Sequence, residues 1–482
     1  MIAVFIVYLV LLIGIVVYSA RRSKTNSDFI LGGKKISGIS LALSERATGE
    51  SAWLLLGLTG LAYSEGMAAI WVAAGCVAGI LFLWIFLAEP LQKLTQKTGA
   101  LTVPALFSET YKGTSRSFGV LTAFITIFFF ILYIAAQFSG AGKIFNDTFH
   151  IDPFWGMVIG SVLVTIYTML GGFITVVATD AFQAILMVFT CVVLPIIALF
   201  TAATLNIDIA NTIIHANYTE PLNHTAGQLT GGLLIINGLS WAFGYTGQPQ
   251  LLVRMMAMRN QAETRQSRWV AVLWTILSYG GAFMIGIIGY ELVKAGALGE
   301  MTARIAADSE KIMPALVVTL VNPILAGILL SGAVSAMMST ASSQLIVVST
   351  ASTEDLYQQV SKKKISEKKM LLMNKLLILF VGSIGFLLAV TMEDTVYGLV
   401  SYAWSGIGAS FGPAIVLLLF WKRFSRAGGF ASLITGTVSA VVWKTWLLEP
   451  TGISERLVSY LLAFAMAIIF SLMFPEKQEN RV

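Results

Sequence analysis

Apolar residues fill this chain in long blocks separated by short polar connections. A helix crossing a hydrocarbon layer of roughly 30 Å needs about 20 mostly apolar residues. Thirteen blocks reach that scale, near 2–20, 36–63, 67–90, 118–146, 153–170, 174–203, 228–253, 269–295, 313–350, 371–391, 394–421, 427–448 and 456–474. The pattern predicts an all-α integral membrane protein with thirteen transmembrane helices, and no connection is large enough to fold alone.

Polar residues interrupt three of these blocks. The stretch SERATGESAW, residues 44–53, places Glu45, Arg46 and Glu50 beside Gly49 inside the second. A charge at the centre of a membrane helix costs about 2.5–3.5 kcal/mol on insertion scales, so such residues are functional candidates until a partner explains them. Arg46 and Glu50, four apart, share a helix face and are spaced to neutralise each other. Thr48-Gly49-Glu50-Ser51 also has the composition of a helix break, which would free carbonyls for a cation. A second interruption, SWAFGYTGQPQ at 240–250, predicts a discontinuity near Tyr245 to Pro249. These two breaks fall in the first helix of two five-helix blocks, the placement expected of an inverted repeat with a midplane site.

The third interruption is GAVSAMMSTASSQLIVVSTASTEDLY at 332–357. Its hydroxyls have an ordinary role available, bonding to carbonyls of the preceding turn or letting helices approach. Their spacing offers another: Ala336, Ser339 and Thr340 stand as i, i+3, i+4, so a carbonyl and two hydroxyls can converge, as can Ser339, Ser342 and Ser343. Hard cations take oxygen ligands of this kind. Asp180 is a further ionisable residue inside a block, 174–203.

Composition supports the membrane assignment: 57% of residues are hydrophobic and 12% charged, with a mean hydropathy of +0.81. Alternate connections collect 24 of the 31 Lys and Arg residues, which predicts those connections cytoplasmic, the N-terminus outside and the C-terminus inside. The net charge of +6 then reflects topology, and no nucleic-acid partner is expected. The first block lacks a basic region before its apolar stretch and reads as a retained helix, not a signal peptide. Cys76 and Cys191 lie within blocks and read as small apolar residues. His150, His215 and His224 fall in or beside outward connections, and no zinc-protease, P-loop or nucleophile-elbow pattern marks an enzyme.

The segments ESAWLLLGLTG (50–60), LYIAAQFSGAGKIF (132–145), GGFITVVATDAFQAILMVF (171–189), GYTGQPQLLVRMMA (244–257) and MSTASSQLIVVSTASTEDLY (338–357) resemble the sodium:solute symporter family, most closely its sodium/proline branch. The resemblance implies a LeuT-type fold in one transmembrane domain over 1–482: an extra helix and loop at 1–35, inverted repeats at 36–204 and 228–421, and two further helices at 427–474. It implies one sodium ion held by carbonyls of Ala47, Glu50 and Ala336 and hydroxyls of Ser339 and Thr340. A second sodium would take Asp180, Ser339, Ser342 and Ser343. Substrate would meet Ser51, Tyr133, Trp241, Tyr245, Gln248 and Pro249.

In one respect the chain departs from the pattern. Proline-transporting members carry an aspartate where this chain has Gly49, and a neutral residue where it has Glu50. The expected activity is sodium-driven import of a small amino acid, with proline as the leading substrate, by a functional monomer in lipid, in a bacterial inner membrane. Proton-coupled transport, another small organic solute, or a membrane sensor of substrate are the alternatives. The compact chain, ending at Val482, offers no separate signalling domain for a sensor.

Overall fold

Helix starts follow side chains able to satisfy free backbone donors. Asp152, Asn260, Asn322, Thr395, Ser425 and Ser454 each accept a hydrogen bond from the first turn of the helix they precede. Pro153 and Pro323 occupy first-turn positions, where a missing N–H costs nothing.

The computed structural model describes residues 1–23, 25–111, 116–220, 231–357, 366–392 and 395–476. The predicted helix edges at 228 and 394, His224, and the basic residues Lys24, Lys112, Lys362, Lys363, Lys364, Lys477 and Arg481 lie outside these. Among the described residues, ten helices are long and apolar enough to cross a membrane: Ile2–Ala20, Gly38–Thr98, Ser117–Phe149, Pro153–Thr204, Gln261–Lys294, Pro323–Tyr357, Glu367–Thr391, Val396–Phe420, Arg426–Thr451 and Glu455–Met473. The predicted blocks 36–63 and 67–90 form one stretch, as do 153–170 and 174–203, while 228–253 resolves into short helices between 232 and 256. The block 313–350 is not a single helix. Asn322 caps Pro323–Thr350, and a separate short helix, Ile312–Leu320, precedes it, because a residue before proline is disfavoured in helical conformation.

Burial is inverted relative to a water-soluble protein. Phe124, Trp269, Leu273, Phe380 and Trp446 are exposed, forming part of the apolar outer surface, whereas Glu45, Arg46, Glu50 and Asp180 are wholly buried.

Three helices break where the sequence allows it. Ser51 has φ 48° and ψ −169° inside the second predicted span, a conformation that costs a non-glycine residue on the order of 1–3 kcal/mol. Gly172 has φ 62°, and a Cβ there would fall 2.4 Å from the Phe29 ring. At 245–247 a turn of 3₁₀ helix is followed by extended Gln248, and Pro249 then starts a new helix, Pro249–Met256.

The connections meet in two groups. One joins Asn26 to Glu354 (2.6 Å), Arg259 to the Lys35 carbonyl (2.6 Å), Arg268 to Glu89 (2.6 Å), Thr102 to Asp355 (2.9 Å) and Tyr111 to the Phe424 carbonyl (2.6 Å). The other joins Lys143 to Glu310 (2.5 Å), Glu310 to the Tyr397 amide (2.8 Å), Trp71 to the Tyr218 carbonyl (2.8 Å) and Asn237 to the Gly452 carbonyl (2.8 Å). Helix Val396–Phe420 begins in the second group and ends beside the first; its 25 residues span about 38 Å at 1.5 Å each.

Candidate functional site

The break at Ser51 is held open by two neighbours. Gln137 Oε1 accepts from the Ala52 amide at 3.0 Å, replacing an intrahelical partner, and Ser51 Oγ accepts from the Trp53 amide at 3.1 Å. Tyr133, one turn before Gln137, donates to Ser51 Oγ at 3.4 Å. The Glu50 carbonyl accepts from the Trp53 amide, which leaves it a second lone pair.

The serine-rich helix Pro323–Thr350 meets this span on its ion-candidate side. Thr340 Oγ1 donates to the Thr48 carbonyl at 2.9 Å, and Ser339 Oγ lies 3.4 Å from Thr48 Oγ1. Ala47 and Ala336 are wholly buried on the same two helices. Thr48 Oγ1 also lies 2.9 Å from Ser343 Oγ and donates to Asp180 Oδ2 at 3.2 Å. Of the four residues assigned to a second ion, Asp180, Ser339 and Ser343 thus converge on Thr48. Ser342 instead donates to the Ser339 carbonyl at 2.9 Å, the ordinary role of a helical serine.

The charges beside the break form a closed network. Arg46 donates through Nε to Glu45 Oε2 at 2.6 Å and through Nη2 to Glu45 Oε1, while Nη1 donates to Glu50 Oε1 at 2.8 Å. Trp84 donates to Glu45 at 2.9 Å. Tyr279 donates to Glu50 Oε2, and Tyr245, 2.7 Å from the Tyr279 hydroxyl, reaches the same oxygen at 3.5 Å. The Glu50 carboxylate is thus paired with Arg46, as their i, i+4 spacing predicts.

An aromatic group lies on the other side of the break. Trp53 and Trp241 have ring centres 4.7 Å apart, Trp241 and Trp404 6.5 Å, and Tyr245 meets Trp404 edge-on at 4.6 Å. Gly244 admits this packing, since a Cβ there would overlap the Trp404 ring. Gln248 donates to the Trp404 carbonyl at 3.1 Å, and Pro249 lines a small cavity shared with Arg254 and Ser343. The indole N–H groups of Trp53 and Trp404 are buried without a hydrogen-bond acceptor, an uncommon condition in a folded protein.

Sequence reasoning missed several of these side chains. Arg254 stands at the start of a connection that the alternating basic residues place in the cytoplasm, yet it is buried and lies 3.2 Å from Asp180. Its signal was weak, because an arginine at the end of an apolar block looks like a boundary. Tyr279 and Gln137 carried no local pattern; each acts by facing a break in another span.

A family model described as the sodium:solute symporter family matches residues 29–436. The chain belongs to the sodium:solute symporter family. Among curated relatives of this symporter-family chain, the high-affinity proline transporter PutP of Bacillus subtilis is 32% identical, with 95% of this chain and 94% of that protein covered. The sodium/proline symporter of Escherichia coli is 32% identical over 98% of this chain and 93% of its own length. Among solved structures, a substrate-bound outward-open Na+-coupled sialic acid symporter superposes with a TM-score of 0.78 at 20% identity, covering 99% of this chain and 98% of that one. MhsT in complex with L-phenylalanine gives 0.53 at 14% identity, covering 90% and 98%. These likenesses establish an all-helical LeuT-type fold. The family and its apolar helices make this a multi-pass cell membrane protein.

Proposed function

We propose that this symporter-family chain imports a small amino acid, proline first, by alternating access coupled to sodium. The observation that carries this is the break at Ser51, which has hydroxyls of the serine-rich helix on one side and the aromatic group on the other. The proline transporters among its relatives support the substrate.

The first sodium is assigned to the carbonyls of Ala47, Glu50 and Ala336 and the hydroxyls of Ser339 and Thr340. Thr340 donates its hydrogen to the Thr48 carbonyl, so its lone pairs are free for a cation. Substrate is assigned to Ser51, Tyr133, Trp241, Tyr245 and the Gln248-Pro249 turn, with Trp53, Gln137 and Trp404 beside them. A proline ring suits aromatic walls, and an amino-acid carboxylate supplies acceptors of the kind the Trp53 and Trp404 indoles lack. Sodium bound between the two spans fixes the break and completes the substrate pocket. Each ligand then favours the other.

We assign thirteen membrane passages to the chain. Gly38–Thr98 turns at Gly66 (φ 64°) and counts twice, Pro153–Thr204 counts twice across Gly172, and the broken 232–256 segment adds one. The inverted repeats are then 36–204 and 228–421, in a functional monomer of the bacterial inner membrane. One charge crossing 100 mV contributes about 2.3 kcal/mol and a tenfold sodium gradient about 1.4, together enough for a few-hundred-fold accumulation per sodium.

Uptake of labelled proline into cells, with sodium replaced by choline at fixed pH, tests this. We expect uptake to fall to background and to return with sodium. Uptake that persists in choline and follows a pH gradient supports proton coupling instead.

A further inference from the structure

We propose that a groove beside the first helix holds one anionic phospholipid, its headgroup on Arg22 and Arg259 and an acyl chain along the apolar wall. Helix Ile2–Ala20 buries Phe5, Tyr8, Leu12, Val16 and Ser19 against the protein. The neighbouring stripe, Leu11, Gly14, Ile15 and Tyr18, follows the same three- and four-residue steps and is left at the edge of that seam. It forms one wall of a groove of about 710 Å³, and Ile174 and Val177, just past the break at Gly172, form the other. Ser19 Oγ lies 3.2 Å from Thr175 Oγ1 and joins the two walls. From Val10 to Ser19 the first wall rises about 14 Å, close to half of a roughly 30 Å hydrocarbon layer. The groove therefore has the depth of one leaflet.

The end of the groove nearest the connections is basic, bordered by Arg22, Lys35 and Arg259 with Ser37 and Ser40. Arg259 is set in place by the Lys34 and Lys35 carbonyls, to which Nε donates at 3.2 Å and Nη2 at 2.6 Å, and Nη1 is left for a ligand. Arg22 Nη2 donates to the Tyr18 hydroxyl at 2.7 Å. Among the described residues neither guanidinium pairs with a carboxylate. The acids nearby are engaged elsewhere: Asp28 meets Lys35 at 2.9 Å, and Glu263 accepts from the Gly38 amide at 2.6 Å and the Arg259 amide at 3.4 Å. The Ser37 and Ser40 hydroxyls lie 2.9 Å apart, so one hydrogen sits between them and the other can point outward. Two uncompensated guanidiniums and a hydroxyl at the head of an apolar trough match a phosphodiester that carries acyl chains. The excess of basic residues on a cytoplasmic face explains their number, but not their alignment at the end of a groove between helices. Gly14 keeps the trough open, since a Cβ there meets nothing within 4 Å. A free phosphate would use the basic end alone, and phosphatidylcholine would bring a cation toward the same guanidiniums.

The test is lipid binding by the purified full-length protein, which needs neither substrate nor sodium. Native mass spectrometry counts retained lipid, and the melting temperature in detergent is followed as dioleoyl phosphatidylglycerol or dioleoyl phosphatidylcholine is added. We expect one tightly retained phosphatidylglycerol, and stabilisation at lower concentrations of phosphatidylglycerol than of phosphatidylcholine. Each basic side chain beside an anionic lipid contributes roughly fivefold in affinity, so Arg22→Gln with Arg259→Gln should weaken phosphatidylglycerol binding about thirtyfold. Gly14→Phe keeps every charge but fills the trough, and should weaken binding about tenfold, the loss of roughly two buried methylenes. Lys93→Gln with Lys97→Gln removes two exposed bases that do not line the groove, and should change nothing. Equal affinity of the natural protein for the two lipids, or unchanged phosphatidylglycerol affinity in either groove variant, overturns the inference. An equal loss in the Lys93 and Lys97 variant would show general attraction to surface charge and overturns it too. Displacement of the lipid by inorganic phosphate at matched ionic strength would assign the basic end to a free anion, with the same consequence. Should the double arginine variant not fold, Arg22→Gln alone replaces it, since that side chain bonds to exposed Tyr18, and the expected loss is then about fivefold.

Discussion

At the scale of single residues, the strongest constraint is the buried triad Glu45, Arg46 and Glu50. Removing one member of a buried ion pair costs about 3–5 kcal/mol, because the partner keeps its desolvation penalty without compensation. Arg46→Ala strands two carboxylates at once, whereas Glu50→Gln leaves the bidentate Arg46 to Glu45 contact intact and keeps an oxygen for Tyr279. We expect Arg46→Ala to lower the melting temperature in detergent and the yield of folded protein severely, and Glu50→Gln to retain most of both. The reverse order would show that the triad is not what stabilises this span. The spacing of Arg46 and Glu50 made their pairing legible, but not that with Glu45, the residue just before Arg46, because adjacent residues on a helix do not face each other. Long side chains overcame that rule here. The displaced acid also has a physical account. A Cβ at Gly49 would lie 3.7 Å from Arg46 Nη2, so an acid at 49 would stand beside the same guanidinium that Glu50 meets.

Elements, more than residues, explain how an ion would couple to motion. The broken span and the serine-rich helix touch through Thr48, Ser339, Thr340 and Ser343, and a cation held between them ties one to the other. Loss of a hydroxyl ligand to a bare cation is comparable to losing a hydrogen bond to a charge, about 1.5–3 kcal/mol. Ser339→Ala and Thr340→Ala should therefore each raise the sodium concentration for half-maximal uptake about tenfold to a hundredfold, with little change in thermal stability. Unchanged sodium dependence in the double variant removes this position. The breaks themselves were legible, since Gly244, Gly247, Pro249 and the 48–51 segment weaken a helix in any context. Their plugs were not. Gln137 caps Ala52 from a helix some 85 positions away, and such a long-range partner leaves no periodic trace in the sequence. The 313–350 block shows the converse failure, because uniform hydrophobicity concealed a helix start that Asn322-Pro323 marks locally.

For the whole molecule, the decisive property is sidedness. The connections carrying most of the basic residues bond to one another through Arg259, Arg268, Thr102 and Tyr111, and the remaining connections bond among themselves through Lys143, Glu310, Trp71 and Asn237. Among the described residues named here none belongs to both groups, which is what connections alternating between two faces require. Positive charge is retained on the cytoplasmic face, so the first group is expected inside and the second outside. The natural cysteines make this easy to measure, because Cys76 and Cys191 are buried and should be silent toward an impermeant thiol reagent. Glu300 and Lys97 are exposed, one in each type of connection. Glu300→Cys should label in intact cells, and Lys97→Cys only after the membrane is opened. Labelling of Lys97→Cys from outside with Glu300→Cys protected would invert the orientation, and the direction of sodium-driven flux across the molecule would invert with it.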